Sequence, residues 1–169
     1  MQGLNILNVY PETIADGYGL RYAIYLAGCR HACPGCHNPD SWRADAGEPL
    51  TDAILGRIIR EINDNILLDG ITLTGGDPFY NPAALYELLE RLKRETHQNI
   101  WCYTGYTYEQ LLRDEALCRC LQWIDTLVDG RFVASLHDPT LLFRGSSNQR
   151  ILHLEPGGCA VREEGGYMP

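Results

Sequence analysis

The sequence predicts an α/β fold in which most strands run parallel, and three observations carry that reading. Short apolar runs of strand length alternate with segments whose apolar residues recur at helical spacing, as successive βαβ units require. Four of the predicted strands empty into loops rich in Gly, Cys or Asp, which therefore collect on the carboxyl edge of the sheet, where α/β proteins bind ligands. The units are too few to close an eight-stranded barrel. At 169 residues the chain is one ordinary domain, long enough to bury a core without covalent staples. A single domain over residues 1–154 is expected, followed by a flexible tail over 155–169 that is rich in Gly and Glu.

Taken in order, residues 1–20 show no periodic pattern and end in Asp16-Gly17-Tyr18-Gly19-Leu20, where two glycines allow a tight bend. Tyr22-Ala23-Ile24-Tyr25-Leu26 reads as a buried strand and leads straight into a cysteine-bearing loop. Thr51 then caps a helix over 52–63, in which Ile54, Leu55, Ile58, Ile59 and Ile62 share a face. The second strand, Gly70-Ile71-Thr72-Leu73-Thr74, runs into Gly75-Gly76-Asp77-Pro78. Asn81 caps the next helix with Pro82 at its first position, and Leu85, Leu88, Leu89 and Leu92 point inward as it continues to Glu95. Asn99-Ile100-Trp101-Cys102-Tyr103 is the third strand and ends in Thr104-Gly105-Tyr106. A capping box from Thr107 to Gln110 opens a ragged helix that reaches Leu121. The fourth strand, Ile124 to Val128, ends in Asp129-Gly130, and a long polar loop precedes the fifth, Arg150 to Leu154.

Hydrophobic residues make up 45% of the chain and charged ones 21%, the balance of a globular protein rather than a disordered one. No apolar run is long enough to cross a bilayer. Met1-Gln2-Gly3-Leu4-Asn5 lacks the basic start and apolar core of a signal peptide, so a cytoplasmic, reducing location without disulfides is expected. A net charge of −8 repels phosphate backbones and anionic lipid, which argues against nucleic acid and membrane as partners.

The chemistry concentrates in Gly28-Cys29-Arg30-His31-Ala32-Cys33-Pro34-Gly35-Cys36-His37-Asn38-Pro39, which holds three of the seven cysteines. Three thiolates on one short loop leave either a fourth ligand to be found or an open metal position. An iron–sulfur cluster with one open iron answers the second case. A structural zinc would recruit His31 or His37, since no second Cys-x-x-Cys pair closes the site, and unligated thiols remain the plain alternative. Gly75-Gly76 at a strand end leaves the main chain open to a small polar ligand, and Asp77 adds an acceptor for an amino group. The plain reading of the same residues is a tight turn whose Asp caps the following helix. Cys102, Cys118 and Cys120 read as buried structural residues, and Cys159 offers no convincing fourth ligand.

These residues resemble the activating proteins of anaerobic ribonucleoside-triphosphate reductases, within the radical S-adenosylmethionine superfamily. The resemblance covers residues 10–154. It rests on Cys29-x3-Cys33-x2-Cys36 with Asn38 and Trp42, and on Gly75-Gly76-Asp77-Pro78. It also rests on Trp101 with Thr104-Gly105-Tyr106, on Val128-Asp129-Gly130-Arg131-Phe132, and on Arg144-Gly145-Ser146-Ser147-Asn148-Gln149. The resemblance implies a partial, open (β/α) barrel in which Cys29, Cys33 and Cys36 hold a 4Fe-4S cluster whose fourth iron is chelated by S-adenosylmethionine. It implies cofactor contacts from Gly75, Gly76, Asp77 and Thr104, and from Gly35, Cys36 and His37 along the adenosine. Gly35 stands where the superfamily often has an aromatic residue, so any contact there is through the backbone, and Tyr18 stands where related activases often have Pro. The implied activity is formation of a glycyl radical on the partner reductase, with an electron donor such as flavodoxin or ferredoxin. The alternatives are a small-molecule radical S-adenosylmethionine enzyme of the deazaguanine-synthase kind and a non-enzymatic zinc or redox module.

Overall fold

In the computed structural model, which describes residues 3–158 and 161–164, the chain opens with a nine-residue strand, Asn5–Thr13 (β1), where the sequence shows no period. The reason is local: Asn5, Asn8 and Pro11 interrupt the alternation, and the pairing register shifts between Ile6 and Asn8 and again between Tyr10 and Thr13. Arg21–Leu26 (β2) runs antiparallel to it, and the two-residue strand Glu48–Pro49 (β3) pairs with its other edge.

The regular units that follow lie close to their predicted bounds. Asp52–Asp64 (α1) begins at Thr51, whose side chain accepts from the Ile54 N–H, and buries Leu55, Ile58, Ile59 and Ile62. Gly70–Gly75 (β4) leads to Pro82–Thr96 (α2), capped by Asn81 and buried along Leu85, Leu88, Leu89 and Leu92. After Ile100–Tyr103 (β5), the capping box of Thr107 and Gln110 forms as expected, but the helix it opens breaks into three pieces. These are Tyr108–Leu111 (α3), Glu115–Cys118 (α4) and a 3-10 turn over Arg119–Trp123, with Asp114 recapping the second piece. Thr126–Asp129 (β6) and Arg150–Leu154 (β7) follow. Val161–Glu163 (β8) pairs with β7, so the stretch expected to be only a flexible tail supplies an eighth strand.

The eight strands among the described residues form one open sheet in the order β3-β1-β2-β4-β5-β6-β7-β8. The expectation of mostly parallel strands is corrected. Only the central four, β2-β4-β5-β6, are mutually parallel, and antiparallel strands flank them on both sides. The residues between β6 and β7 contain no crossover helix, only a 3-10 turn at Ala134–Leu136, so the chain doubles back beside β6 instead of crossing over.

Sequential parallel strands joined by right-handed crossovers put every helix on one face of the sheet. That face carries Ile24, Leu26, Ile71, Leu73, Cys102 and Leu127 into a common core with α1 and α2. The opposite face holds Trp101, Val128 and Ile151, covered by Tyr103 and Phe143 rather than by a helix. Arg21 is buried at its lower end, where its Nε donates to Thr72 Oγ1 at 2.7 Å and its Nη2 to the Ile71 carbonyl at 2.6 Å. The guanidinium also lies 5.4 Å from the Trp101 ring centre, and burial lowers its pKa to about 10, which leaves it charged at neutral pH.

Candidate functional site

The cysteine loop leaves β2 at its carboxyl end and is pinned at both ends by main-chain hydrogen bonds. Ala27 N–H donates to the Asn5 carbonyl, Gly28 N–H to that of Ser41 and Cys29 N–H to that of Trp42. Between these anchors the chain makes a turn from Cys33 to Cys36, and Gly28 and Gly35 take positive φ values of 98° and 77° that suit glycine. Cys29, Cys33 and Cys36 are free thiols, each part-exposed. Burial pushes the Cys29 thiol above its ordinary value, a cost that a bound metal reverses. Cys102 and Cys120 are fully buried in the core as expected, Cys118 is part-exposed, and Cys159 lies outside the described residues.

Behind the loop stands Asp77, 2% exposed. Its carboxylate accepts from Phe79 N–H at 2.9 Å, Thr104 Oγ1 at 3.0 Å and Gly105 N–H at 3.1 Å, and His31 Nε2 lies 2.5 Å from it. Protein donors thus reach both oxygens of the carboxylate. Asp77 caps the 3-10 turn Pro78–Tyr80, as the plain reading has it, and ties three loops together from beneath. Thr104 is likewise turned inward, at 5% exposure, with its hydroxyl donated to Asp77. A side chain at Gly105 would overlap the His31 ring, so this glycine makes room for the histidine.

Gly75 and Gly76 also face protein. A Cβ at Gly76 would stand 2.5 Å from the Gly28 carbonyl oxygen and 2.9 Å from that of Ser41, both at the root of the cysteine loop. At Gly75, whose φ is +101°, it would stand 2.7 Å from the backbone of Leu26. The two glycines let β4 approach β2 and the loop, and Gly76 N–H and Asp77 N–H complete the seam by donating to Leu26 and Gly28 carbonyls. The structure therefore brings Gly75, Gly76, Asp77, Thr104 and His31 together as the bed on which the cysteines lie.

Two cavities open above this bed. One, of about 350 Å³, lies between His31, Cys33 and Pro34 on one side and the segment 131–135 on the other. The second, of about 340 Å³, is lined by Tyr25, Thr74 and Tyr103 at the ends of β2, β4 and β5, and by His37, Asp16, Arg144 and Gln149. Phe132 belongs to both and lies 3.5 Å from where a Cβ on Gly35 would be. Burial raises the pKa of Tyr25 and of Tyr103, so both phenols remain protonated, and the Tyr25 hydroxyl donates to Asp16 at 2.8 Å. Sequence reasoning picked out His37 and Gly35 here but missed Asp16, Tyr25, Tyr103, Phe132, Arg144 and Gln149 as cleft residues. A signal existed for two of them: Tyr25 and Tyr103 are the last or next-to-last residues of strands whose period of two turns them to the same face as Thr74.

A family model described as "4Fe-4S single cluster domain" matches residues 15–152. The anaerobic ribonucleoside-triphosphate reductase-activating protein of Escherichia coli (strain K12) is 41% identical over 155 residues, which cover 89% of this chain and 99% of that protein. Proteins of the same name from Haemophilus influenzae and Enterobacteria phage T4 are 40% and 34% identical, over 97% and 93% of their lengths. The chain belongs to this family of reductase-activating proteins.

Members of this activating-protein family are expected to carry an iron–sulfur cluster, and the donor set here fits one. Three part-exposed cysteine sulfurs sit on one loop and His31 is turned away to Asp77, so soft sulfur, with the exposed His37 beside it, is the chemistry on offer. Among the described residues no three His, Cys, Asp or Glu side chains gather around a single-ion position, the arrangement that the zinc reading requires. No helix among the described residues is long and apolar enough to cross a membrane.

Proposed function

We propose that this protein activates an anaerobic ribonucleoside-triphosphate reductase by generating a glycyl radical on it, with Cys29, Cys33 and Cys36 holding a 4Fe-4S cluster. The observation that carries the proposal is a loop of three free cysteines, with Cys33 lining one cavity and His37, next to Cys36, lining a second at the carboxyl ends of β2, β4 and β5, in a chain matching reductase-activating relatives over nearly their whole length. A cluster held by Cys29, Cys33 and Cys36 would supply the one-electron reduction of S-adenosylmethionine on which hydrogen abstraction from the reductase glycine depends. The protein's own residues position and shield that chemistry. His31, Asp77 and Thr104 hold the loop, the backbone at Gly35 and the His37 side chain border the adenosine, and Tyr25 and Tyr103 wall the cleft as neutral phenols.

The cleft's volume of about 340 Å³ supports a protein substrate over a small one. Ligand sites span roughly 300–1,000 Å³, so this cleft is at the small end of that range and is filled by the cofactor, while the neighbouring cavity beside Cys33 is open to a loop presented from outside. A protein substrate brings its own surface and completes the enclosure from outside. The one-sided helix layer supports an open partial barrel whose helix-free face receives the reductase, within a single domain of residues 1–154 to which β8 adds an edge strand. A flavodoxin or ferredoxin serves as electron donor, in a reducing cytoplasm that keeps the exposed thiols free.

The test is anaerobic incubation of the reconstituted protein with a reductant, S-adenosylmethionine and the cognate reductase. A glycyl-radical EPR doublet on the reductase is the expected result. Its absence with a competent reductase, alongside turnover of a small substrate such as a carboxylated pterin, transfers the assignment to a small-molecule enzyme.

A further inference from the structure

Residues 130–133 and 144–149 belong to no helix or extended strand, yet they are joined by a row of hydrogen bonds in reversed order. Gln149 Nε2 donates to the Gly130 carbonyl at 3.0 Å, Asn148 Nδ2 donates to the Arg131 carbonyl at 2.8 Å, and Ser146 Oγ accepts from Val133 N–H at 3.1 Å. The Ser147 N–H extends the row to the Leu136 carbonyl at 2.9 Å. Ser146 is fully buried in this contact, whereas Asn148 is exposed. Among the described residues, the hydrogen bonds that tie segment 131–135 to a distant part of the chain come from Ser146 and Asn148. That segment is one whole side of the cavity of about 350 Å³ whose other side is His31, Cys33 and Pro34. A stretch without a ladder of its own keeps its place only through such bonds, and it loosens locally when they go.

We propose that Ser146 and Asn148 are positioning residues for the protein substrate: they clasp segment 131–135 as the wall against which the glycine-bearing segment of the reductase lies, in the cavity beside Cys33. The inference rests on the activating reading above and goes beyond it by assigning residues to recognition of the reductase. Arg131, Ala134 and Ser135 are exposed, so the cavity is reached from outside the molecule. Pro34, Phe132, Val133 and Ala134 give it an apolar lining suited to a segment of small residues. A wall that has to be ordered as the partner docks weakens binding, and one clasped beforehand does not. Location separates this role from that of the cofactor cleft. Tyr25, Thr74 and Tyr103, which line that cleft, are held in the sheet by β-ladder pairing that neither Ser146 nor Asn148 touches. Phe132 borders both cavities, but its ring is kept in place by packing, 3.0 Å from where a Cβ on Gly145 would be and 3.5 Å from where one on Gly35 would be.

The experiment follows initial rates of glycyl-radical formation, read as the EPR doublet, against the concentration of the cognate reductase. Anaerobically reconstituted wild type, Ser146→Ala, Asn148→Ala and Asn148→Asp are compared, and cleavage of S-adenosylmethionine by a chemical reductant without the reductase is measured in parallel. Ser146→Ala and Asn148→Ala are each expected to raise the KM for the reductase roughly three- to tenfold, the factor that one hydrogen bond carries, and to leave kcat, iron content and reductase-independent cleavage within about twofold. Asn148→Asp has the same size without the donated hydrogen and should match Asn148→Ala. An unchanged KM in both alanine variants overturns the proposal. So does a loss shared equally by iron content, reductase-independent cleavage and KM, which is what a merely structural role gives. If Ser146→Ala does not fold, the exposed Asn148 decides alone. Wild-type protein that carries full iron and cleaves S-adenosylmethionine, yet forms no doublet on a competent reductase, overturns the activating reading and the clasp with it. That result is distinct from a wild type that forms the radical beside variants of unchanged KM, which removes the clasp alone.

Discussion

Replacing Asp77 by Ala separates a residue that holds the site together from one that touches cofactor. The substitution strips an acceptor from Phe79 N–H, Gly105 N–H, the Thr104 hydroxyl and His31. The hydroxyl and the imidazole can turn toward water that enters the vacated space, but the two amides are fixed by the backbone. At about 1.5 kcal/mol for each amide left unsatisfied, the loss comes to about 3 kcal/mol, before any penalty for exposing the neighbouring core. Against a total of roughly 5–15 kcal/mol for a domain, that is a large fraction. Because His31 lies between Cys29 and Cys33, its release also loosens the loop, so cluster content should fall along with stability. Urea unfolding of the apo-protein measures the first effect, and iron and sulfide analysis after anaerobic reconstitution measures the second. Asp77→Asn keeps one acceptor oxygen but turns an amide donor toward other donors, and should lose less than Ala. An Asp77→Ala protein with wild-type stability and full iron that fails only to bind S-adenosylmethionine would refute the positioning role and make the carboxylate a direct ligand of the amino group.

Three further outcomes are expected. Cys29→Ala, Cys33→Ala and Cys36→Ala should each abolish the charge-transfer absorbance of the reconstituted cluster, whereas Cys102→Ala and Cys120→Ala should keep it and show only a lower unfolding midpoint; a full cluster in Cys33→Ala counts against the ligand assignment. Gly76→Ala drives a methyl into the carbonyl oxygens of Gly28 and Ser41, so iron content and stability should drop together, and retention of both would mean that the space beside Gly76 is open to ligand after all. Glu109 is held down to about 2, chiefly by its hydrogen bond with Arg150, against an ordinary value of 4.5. A depressed carboxylate stabilises the fold above its unfolded value and loses that contribution as pH falls through the folded one. The stability advantage of wild type over Glu109→Gln should therefore fade between pH 4.5 and about 2, and since the pair is solvent-exposed its full size should be no more than ~1 kcal/mol; a pH-independent difference in urea midpoint would argue against the pair.

The elements that sequence reading placed well are those whose signal is local. The Thr51, Asn81 and Thr107 caps and the leucines of α2 announce themselves within one or two turns of chain, and the structure returns them almost residue for residue. The cysteine loop was legible for the same reason, because three cysteines within eight residues need no tertiary information to be near one another. β1 escaped because its bulges and its Pro erase the period of two, and β7 was placed but not oriented because nothing in a polar loop states whether the chain will cross over or turn back.

What the sequence by itself determined, then, is the order of the central strands and their helices, the three-cysteine loop and the family to which they point. The tertiary structure alone decided which way the site residues face. Gly75, Gly76 and Asp77 read as groups open to a ligand, yet only the packing of β4 against β2 shows that the space beside both glycines is filled by backbone. Likewise, only the meeting of His31, Thr104 and Gly105 shows that the Asp77 carboxylate is spoken for. Arg144 reaches the same cleft as Tyr25, 119 positions away in the chain, because consecutive right-handed crossovers gather the strand ends on one edge and β7 folds back beside them. A side chain's donors and acceptors are a property of its residue type, but whether they are already satisfied depends on neighbours that are distant in sequence, and those neighbours exist only once the chain has folded.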